Sequence, residues 1–342
     1  MRRPRRLLLL AEGHSGDPHH GKTARGVLRY RPEDVVAILD STSAARLQDG
    51  FPVVATVEEA IPLGPTTALV GVATAGGRFP PAWRRLLEQC IVAGLDVENG
   101  LHEFVGDDPE LTELARRHGV ELRDLRKPPP GLNVPSGANL THGATTILTV
   151  GSDCAIGKMT VALELDREAR RRGIRSEFVP TGQTGIAIAG WGLSVDAVVA
   201  DFVAGAAERL VLEGVARGGE VLFVEGQGSL LHPGYSGVTL GLIHGSAPHG
   251  YVLCHVPGQT VVDDDDRFPM PSLPELVDLH RRVSLLARPA EVLAIALNTR
   301  AEDDEAARKA IAAAEEETGL PADDPVRFGP GRLVDALMPV LR

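Results

Sequence analysis

The sequence predicts an α/β protein of two domains, each built on a mostly parallel sheet. Three observations lead there. The chain has 342 residues, which at roughly 100–200 residues per domain suggests two. Hydrophobic residues make up 43% and aromatic residues only 4%, so the core is built from Val, Leu, Ile and Ala, as strands buried on both faces require. Apolar runs of strand length alternate with helix-length segments, the pattern of a parallel sheet with crossover helices.

Residues 1–126 form the first predicted domain. Arg6–Leu10 is an apolar run followed by the polar loop Glu12–Lys22. Val35–Leu39 is closed by Asp40-Ser41-Thr42, and Val53–Thr56 is followed by a helix-like Val57–Ile61. Thr67–Val72 is closed by Ala75-Gly76-Gly77. Pro80-Pro81 opens a helix through Cys90, Leu95–Glu98 is a short strand, Pro109–His118 a helix and Val120–Asp124 a strand. Lys127-Pro128-Pro129-Pro130-Gly131 then breaks the pattern. Successive prolines continue neither a helix nor a central strand, so residues 127–143 read as an interdomain linker.

Residues 144–342 form the second predicted domain. It opens on the buried-type strand Thr145–Val150, then a glycine-rich loop, then the helix Lys158–Arg172 closed by Gly173. Ser176–Pro180 is a strand, Val195–Glu213 a helix, and Val221–Val224 a strand ending in Glu225. Tyr251–Val256 and Val292–Leu297 are further strands, and Glu302–Thr318 is a polar, Ala-rich helix.

A net charge of −11 argues against nonspecific binding to nucleic acid or an anionic membrane, while leaving room for a local positive pocket. Arg2, Arg3, Arg5 and Arg6 precede only five apolar residues, Leu7–Ala11, before Glu12, too short a run for an export signal. No apolar run reaches membrane-spanning length. The three cysteines, Cys90, Cys154 and Cys254, are scattered, which fits a reducing, cytoplasmic setting without a disulfide framework or zinc site.

The sharpest signal is Gly151-Ser152-Asp153-Cys154-Ala155-Ile156-Gly157-Lys158-Met159-Thr160, with an apolar strand before it and a helix after it. Glycines let the chain turn tightly, so that successive amide N–H groups face an anion. The helix N-terminus adds about half a positive charge, and Lys158 supplies an ammonium. The glycines flank five residues, and Met159 stands where a metal-binding Ser or Thr commonly follows the Lys. This five-residue spacing resembles dethiobiotin synthetase and its relatives, in which an acid occupies the place of Asp153. The bland alternative is a strand-to-helix turn that binds nothing.

Glu225 ends an apolar strand and begins the turn Gly226-Gln227-Gly228-Ser229. An acid there reaches Mg²⁺ or orients a nucleophile, or merely bonds the turn. Pro180-Thr181-Gly182-Gln183-Thr184-Gly185 follows another strand and offers hydroxyls and an amide to a substrate, although turn chemistry alone selects such residues. Asn298 ends a strand where its amide offers donor and acceptor to an adenine edge, as in the dethiobiotin-synthetase-like domains it resembles. Asp196 and Asp201 lie five apart, about 140° round a helix from each other, and do not share a site easily.

His14, His19 and His20 with Asp17 read as a polar loop more readily than as a zinc site. His232, His244, His249 and His255 include candidates for a general base. The run Asp263-Asp264-Asp265-Asp266 reads as a solvated loop rather than a cation site. Lys22-Thr23-Ala24-Arg25-Gly26 resembles an anion-contacting turn.

Taken together, Gly151–Thr160, Pro180–Gly185, Val224–Ser229 and Lys22–Gly26 resemble the D-glutamate N-acetyltransferases (DgcN-like proteins), over nearly the whole chain. The resemblance implies a Rossmann-like N-terminal domain, a P-loop NTPase-like C-terminal domain, and acetyl transfer from acetyl-CoA to the amino group of D-glutamate or a similar acidic amino acid. Gly151–Thr160 and Asn298 would then hold CoA, with Asp153, Lys158 and Glu225 catalytic. Lys22, Arg25, Thr181, Gln183, Thr184, Gly226 and Gln227 would contact the substrate, in a homo-oligomer. Two other readings stand beside it. One is an ATP-dependent ligase or kinase, with Mg²⁺ on Thr160 and Glu225. The other is a nucleotide-binding regulator without turnover.

Overall fold

The computed structural model describes residues 4–17, 21–43, 47–72, 74–80 and 82–341. The chain divides into two compact units, Met1–Lys127 with Ile186–Ser194, and Pro128–Gly185 with Val195–Arg342. The return of Ile186–Ser194 to the first unit has no signature in the sequence.

The first unit runs β1 (Leu7–Leu10), α1 (Lys22–Tyr30), β2 (Val35–Leu39), β3 (Leu47–Gln48), β4 (Phe51–Val54), α2 (Val57–Ala60), β5 (Thr67–Val70), α3 (Trp83–Val92), β6 (Asp96–Asn99), α4 (Pro109–His118) and β7 (Leu122–Asp124). Its sheet has the order β3-β4-β2-β1-β5-β6-β7. All neighbours are parallel except the short β3, which pairs antiparallel with β4. With β3 set aside, the remaining six strands follow the doubly wound dinucleotide-binding order, with its switch point between β1 and β5. Leu8, Leu10, Leu39, Val70, Leu87, Ile91 and Val97 form one core cluster. Lys22 and Arg25, expected in a turn, lie in the first turn of α1.

At the end of β2, Asp40 turns its carboxylate back onto the loop after β1. It accepts hydrogen bonds from the Gly13 amide at 3.0 Å and the Ser15 amide at 3.1 Å. The loop that holds a dinucleotide phosphate in such sheets is thus served by the protein's own anion.

The second unit runs β8 (Thr145–Gly151), α5 (Lys158–Arg171), β9 (Ser176–Val179), α6 (Gln183–Ala189, which ends in the first unit), α7 (Val203–Ala216), β10 (Val221–Val224), α8 (Ser236–Ser246), β11 (Gly250–His255), β12 (Val261–Val262), β13 (Asp265–Pro269), α9 (Leu273–Arg282), β14 (Glu291–Leu297), α10 (Asp304–Thr318), β15 (Ala322–Asp323) and α11 (Gly331–Leu337). The order β15-β14-β11-β8-β10-β9 is parallel throughout, with β8 inside the sheet.

Two sequence expectations need correction here. The helix expected over Val195–Glu213 begins only at Val203, after two short 3-10 turns that carry Asp196 and Asp201. The acid run Asp263–Asp266 is the two-residue turn and first strand residues of the β12–β13 hairpin, not a free loop. The proline-rich stretch read as an interdomain linker is ordered against α7. Glu208 on α7 accepts the amides of Ser136 at 2.6 Å and Gly137 at 2.7 Å. Gly205 lies so close to Asn133 that a Cβ on it would meet the Asn133 carbonyl oxygen at 1.7 Å.

Candidate functional site

Parallel strands aim their C-terminal ends one way, and the loops leaving β8, β9, β10, β11 and β14 gather at that edge. β8 is buried throughout and delivers the chain to Gly151. Between there and Gly157 the backbone reverses through Ala155 at φ 54° and Gly157 at φ 115°. The second value is one that a side chain does not tolerate. α5 then starts at Lys158 with no side-chain hydrogen bond at its cap. The open end of the helix is therefore left for an anion rather than closed by Ser, Thr or Asp.

Lys158 is only 6% exposed, and its ammonium donates to the Asp153 carbonyl oxygen at 2.6 Å. Two glycines clear its path: a Cβ on either Gly151 or Gly226 would stand 3.2 Å from Lys158 Cδ. Gly226 also passes so close to Thr149 that a Cβ would lie 1.7 Å from that carbonyl oxygen. Gly226, expected to touch substrate, gives backbone room to Thr149 and Lys158.

The other expected site residues fall into place around this loop, several with their polar groups already engaged. Asp153 is 4% exposed. Its carboxylate accepts the Cys154 amide at 2.6 Å, Gln259 Nε2 at 2.5 Å and the Asp263 amide at 2.8 Å. It braces the loop against the β12–β13 hairpin. Glu225 Oε2 accepts the amides of Thr181 at 2.8 Å and Gly182 at 3.1 Å. Its carboxylate therefore ties the turn after β10 to the turn after β9.

Thr181, fully buried, donates its hydroxyl to the Glu225 carbonyl oxygen at 2.7 Å. Gln227 Nε2 donates to the Thr181 carbonyl oxygen and, at 3.2 Å, to its hydroxyl. Thr184 is buried, and Gln183 begins α6 rather than lying in a loop. Thr181, Gln227 and Glu225 shape the turn after β9 through bonds to one another. Asn298 Nδ2 donates to the Ile156 carbonyl oxygen at 3.0 Å, bracing the phosphate loop from the end of β14. Met159 and Thr160 sit half-buried in the first turn of α5. Among the described residues no group of three His, Cys, Asp or Glu is placed to hold a metal ion. His19 and His20 lie outside the described residues.

The structure sorts the four clustered histidines. His249 precedes β11, at the opposite sheet edge, where its Nδ1 accepts the Thr146 amide at 3.0 Å. His244 Nε2 lies 3.0 Å from the Val283 carbonyl oxygen. Two remain by the loop. His255 ends β11, with its Nδ1 3.0 Å from Ser152 Oγ, and burial pushes its pKa down to about 4, so the ring is neutral near pH 7. His232 Nδ1 accepts the Gly234 amide at 3.1 Å, and its Nε2 faces Asp263 Oδ2 at 3.2 Å. Ser229 Oγ reaches the Ser152 carbonyl oxygen at 2.9 Å. The partnership of Asp153, Gln259, Asp263 and His232 escapes sequence reasoning. Its one signal is a two-residue turn between the apolar Val262 and the acid Asp265.

In the first unit, Lys22 and Arg25 are exposed and three residues apart, on one face of the first turn of α1. That turn carries no acid. Two cations at the positive end of a helix repel its dipole.

A parallel sheet whose inner strand feeds a glycine-rich loop, a buried lysine and an uncapped helix defines a P-loop domain, here preceded in the chain by a Rossmann-like one. The chain belongs to the DUF1611 family. It matches the family's models for "Domain of unknown function (DUF1611_C) P-loop domain" over residues 133–334 and "Domain of unknown function (DUF1611_N) Rossmann-like domain" over residues 39–128. It is 38% identical, over 97% of its length and 98% of the relative's, to a D-glutamate N-acetyltransferase of Tritonibacter scottomollicae. A protein of the same name from a Pseudoalteromonas species is 32% identical over 95% of this chain and 97% of its own. The crystal structure of a DUF1611 family protein from Anabaena variabilis superposes with a TM-score of 0.89, at 40% identity, covering 98% of this chain and 99% of that one.

Proposed function

We propose that this chain is an N-acetyltransferase that moves the acetyl group of acetyl-CoA to the amino group of D-glutamate. The observation that carries the reading is its 38% identity, across 97% of the chain, to a protein named for that activity. The geometry of the second unit supports it: an amide-lined loop, an uncapped helix and Lys158 suit the phosphates of CoA as well as those of a nucleotide. Lys22 and Arg25 suit the carboxylates of an acidic amino acid.

In the reaction, the lone pair of the amine attacks the thioester carbonyl carbon. The tetrahedral intermediate collapses with cleavage of the C–S bond. The incoming ammonium loses one proton to solvent before the attack; the nitrogen of the tetrahedral intermediate loses a second, and the departing CoA thiolate takes up one proton. What this chain contributes is positioning: the loop fixes CoA by its phosphates. Among the described residues, His255 lies beside the loop, with its Nδ1 3.0 Å from Ser152 Oγ, and is a candidate to exchange a proton there. The reaction is proposed as a cytoplasmic one. Among the described residues no helix is long and apolar enough to cross a membrane.

The test is thiol release on mixing the purified chain with acetyl-CoA and D-glutamate, followed with a thiol-reactive dye. Release that requires D-glutamate, with N-acetyl-D-glutamate identified by mass, is expected. No release with any acidic amino acid, together with ATP consumption stimulated by one, would overturn it in favour of the ligase.

A further inference from the structure

CoA brings two anionic groups to a protein: a pyrophosphate and, on the adjoining ribose, a 3′-phosphate monoester with nearly two charges at pH 7. The phosphate loop offers them one ammonium, that of Lys158. A cation for the second group has to come from another connection at the same sheet edge. In the second unit, the chain between the ends of β9, β10, β11, β14 and β15 and the helices that follow carries three, Arg267, Arg300 and Arg327. Arg267 is paired with Asp265, its Nε 2.9 Å from Oδ1 and 3.0 Å from Oδ2. Arg327 is paired with Asp304. Arg300 is exposed and makes no ion pair among the described residues.

Arg300 stands one side chain away from the phosphate loop. Asn298 Nδ2 donates to the Ile156 carbonyl oxygen at 3.0 Å, and a Cβ on Gly157 would lie 3.9 Å from the same nitrogen. The Arg300 amide meets the other end of that side chain, Asn298 Oδ1, at 3.4 Å. The turn that carries Arg300 is clamped at both ends. Thr299, fully buried, donates its amide and hydroxyl to Asp324 Oδ2 at 2.9 and 2.6 Å. The Glu302 amide closes on the Thr299 carbonyl oxygen at 2.9 Å. Arg327 Nη2 donates to the carbonyl oxygens of Thr299 at 2.9 Å and Glu302 at 2.8 Å. Of the acids that follow, Asp303 caps α10 through the Ala306 amide at 2.8 Å, Asp304 is taken by Arg327, and Glu302 forms no ion pair with Arg300. A cation on a turn already held in this way needs little further ordering to bind an anion.

We propose that Arg300 is a specificity-determining residue that holds the 3′-phosphate of CoA, while Lys158 and the loop amides hold the pyrophosphate. The planar guanidinium suits a phosphate monoester, which it meets with two parallel N–H bonds. This rests on the acetyl-CoA reading above. It adds the contact that tells CoA from a nucleotide without a 3′-phosphate.

The test compares CoA with dephospho-CoA, which lacks only the 3′-phosphate, by calorimetry. The wild type is expected to bind CoA about tenfold more tightly, the worth of one charge-assisted contact. Arg300→Ala should weaken CoA by about tenfold and dephospho-CoA by less than about twofold, so that the preference disappears. Arg300→Lys, which keeps the charge without the fork, should retain part of it. Arg308→Ala is the control for charge alone: it removes an exposed cation of α10 that lies over the Phe328 ring, and the preference should persist. The Arg300 side chain is exposed, so its variants should keep the wild-type melting temperature. An equal loss for both ligands in Arg300→Ala, an unchanged preference there, or the same loss of preference in Arg308→Ala overturns the proposal. Binding of both ligands by the wild type without preference overturns the Arg300 assignment alone, whereas binding of neither overturns the acetyl-CoA reading with it.

Discussion

Gly226 passes Thr149 so closely that a single added carbon would lie 1.7 Å from the Thr149 carbonyl oxygen. The Gly226 amide at the same time accepts no alternative place, since it donates to Thr149 Oγ1 at 2.9 Å. The contact fixes the turn after β10 against the strand that feeds the phosphate loop. Gly226→Ala is therefore expected to cost about 3 kcal/mol or more, since backbone must move. Gly218→Ala is the control. Gly218 has φ 95° but open space around it, so only the backbone strain of about 1–2 kcal/mol applies. Urea denaturation of the two variants measures the difference, and equal losses would contradict the contact.

Lys158 brings the one ammonium of the phosphate loop within 2.6 Å of the Asp153 carbonyl oxygen. A phosphate competes for that ammonium with a charge-assisted bond, worth about 1.5–3 kcal/mol. Lys158→Met, which keeps the aliphatic stem between Gly151 and Gly226, should raise the Kd for acetyl-CoA by about 10–100-fold with little loss of melting temperature. Thermal shift against acetyl-CoA concentration reads both quantities. An unaltered Kd would place the cofactor elsewhere.

Asp40 fills with its own carboxylate the amides of Gly13 and Ser15, and also accepts Thr42 Oγ1 at 2.8 Å. Burial works to raise its pKa, but the hydrogen bonds from Ser15, Thr42 and Gly13 outweigh burial and leave it lowered. A carboxylate with a depressed folded pKa adds stability above its unfolded value, near 3.9, and loses it as the pH falls through the folded value. Asp40→Asn turns a donor toward amides that need acceptors, at about 1–3 kcal/mol. The loss should appear in urea denaturation at pH 7 and shrink as the pH falls through the folded value. Addition of NAD should not shift the melting temperature of the wild type, because the loop already holds an anion.

His280 on α9 is fully buried, with Nδ1 2.8 Å from the Leu276 carbonyl oxygen and Nε2 without a hydrogen-bond partner. Burial pushes its pKa down to about 4, and burial does the same to His249 and His255. The fold therefore requires neutral rings. Stability is fully present above the unfolded value of about 6.5 and falls as the pH drops toward 4, by up to about 1.4 kcal/mol per pH unit for each ring. Chemical denaturation between pH 7 and pH 4 should show this slope, and His280→Asn should make it shallower. A flat profile would contradict the burial argument.

Much of the fold is legible in the sequence because its signals are local. Pro109–His118 reads as a helix and is one, with Asp108 capping it and Gly119 ending it. Val221–Val224 reads as a buried strand and is one. α1 is missed because Gly21 gives it no capping side chain and cations, not acids, open it. The β12–β13 hairpin is missed because four consecutive acids resemble a solvated run more than a turn.

The sequence by itself determined the phosphate loop, since glycines, a lysine and the strand and helix around them lie within Thr145–Arg171 and need no distant partner to be recognised. It also determined the class of each domain through the alternation of apolar runs. Only the tertiary structure decided which polar groups at the sheet edge are spoken for. Asp153 meets Asp263 across 110 positions of chain, and Glu225 meets the Thr181 amide across 44. A side chain's role depends on whether its hydrogen-bonding capacity is already taken. Residues that the chain brings together from such separations leave no local pattern to announce it.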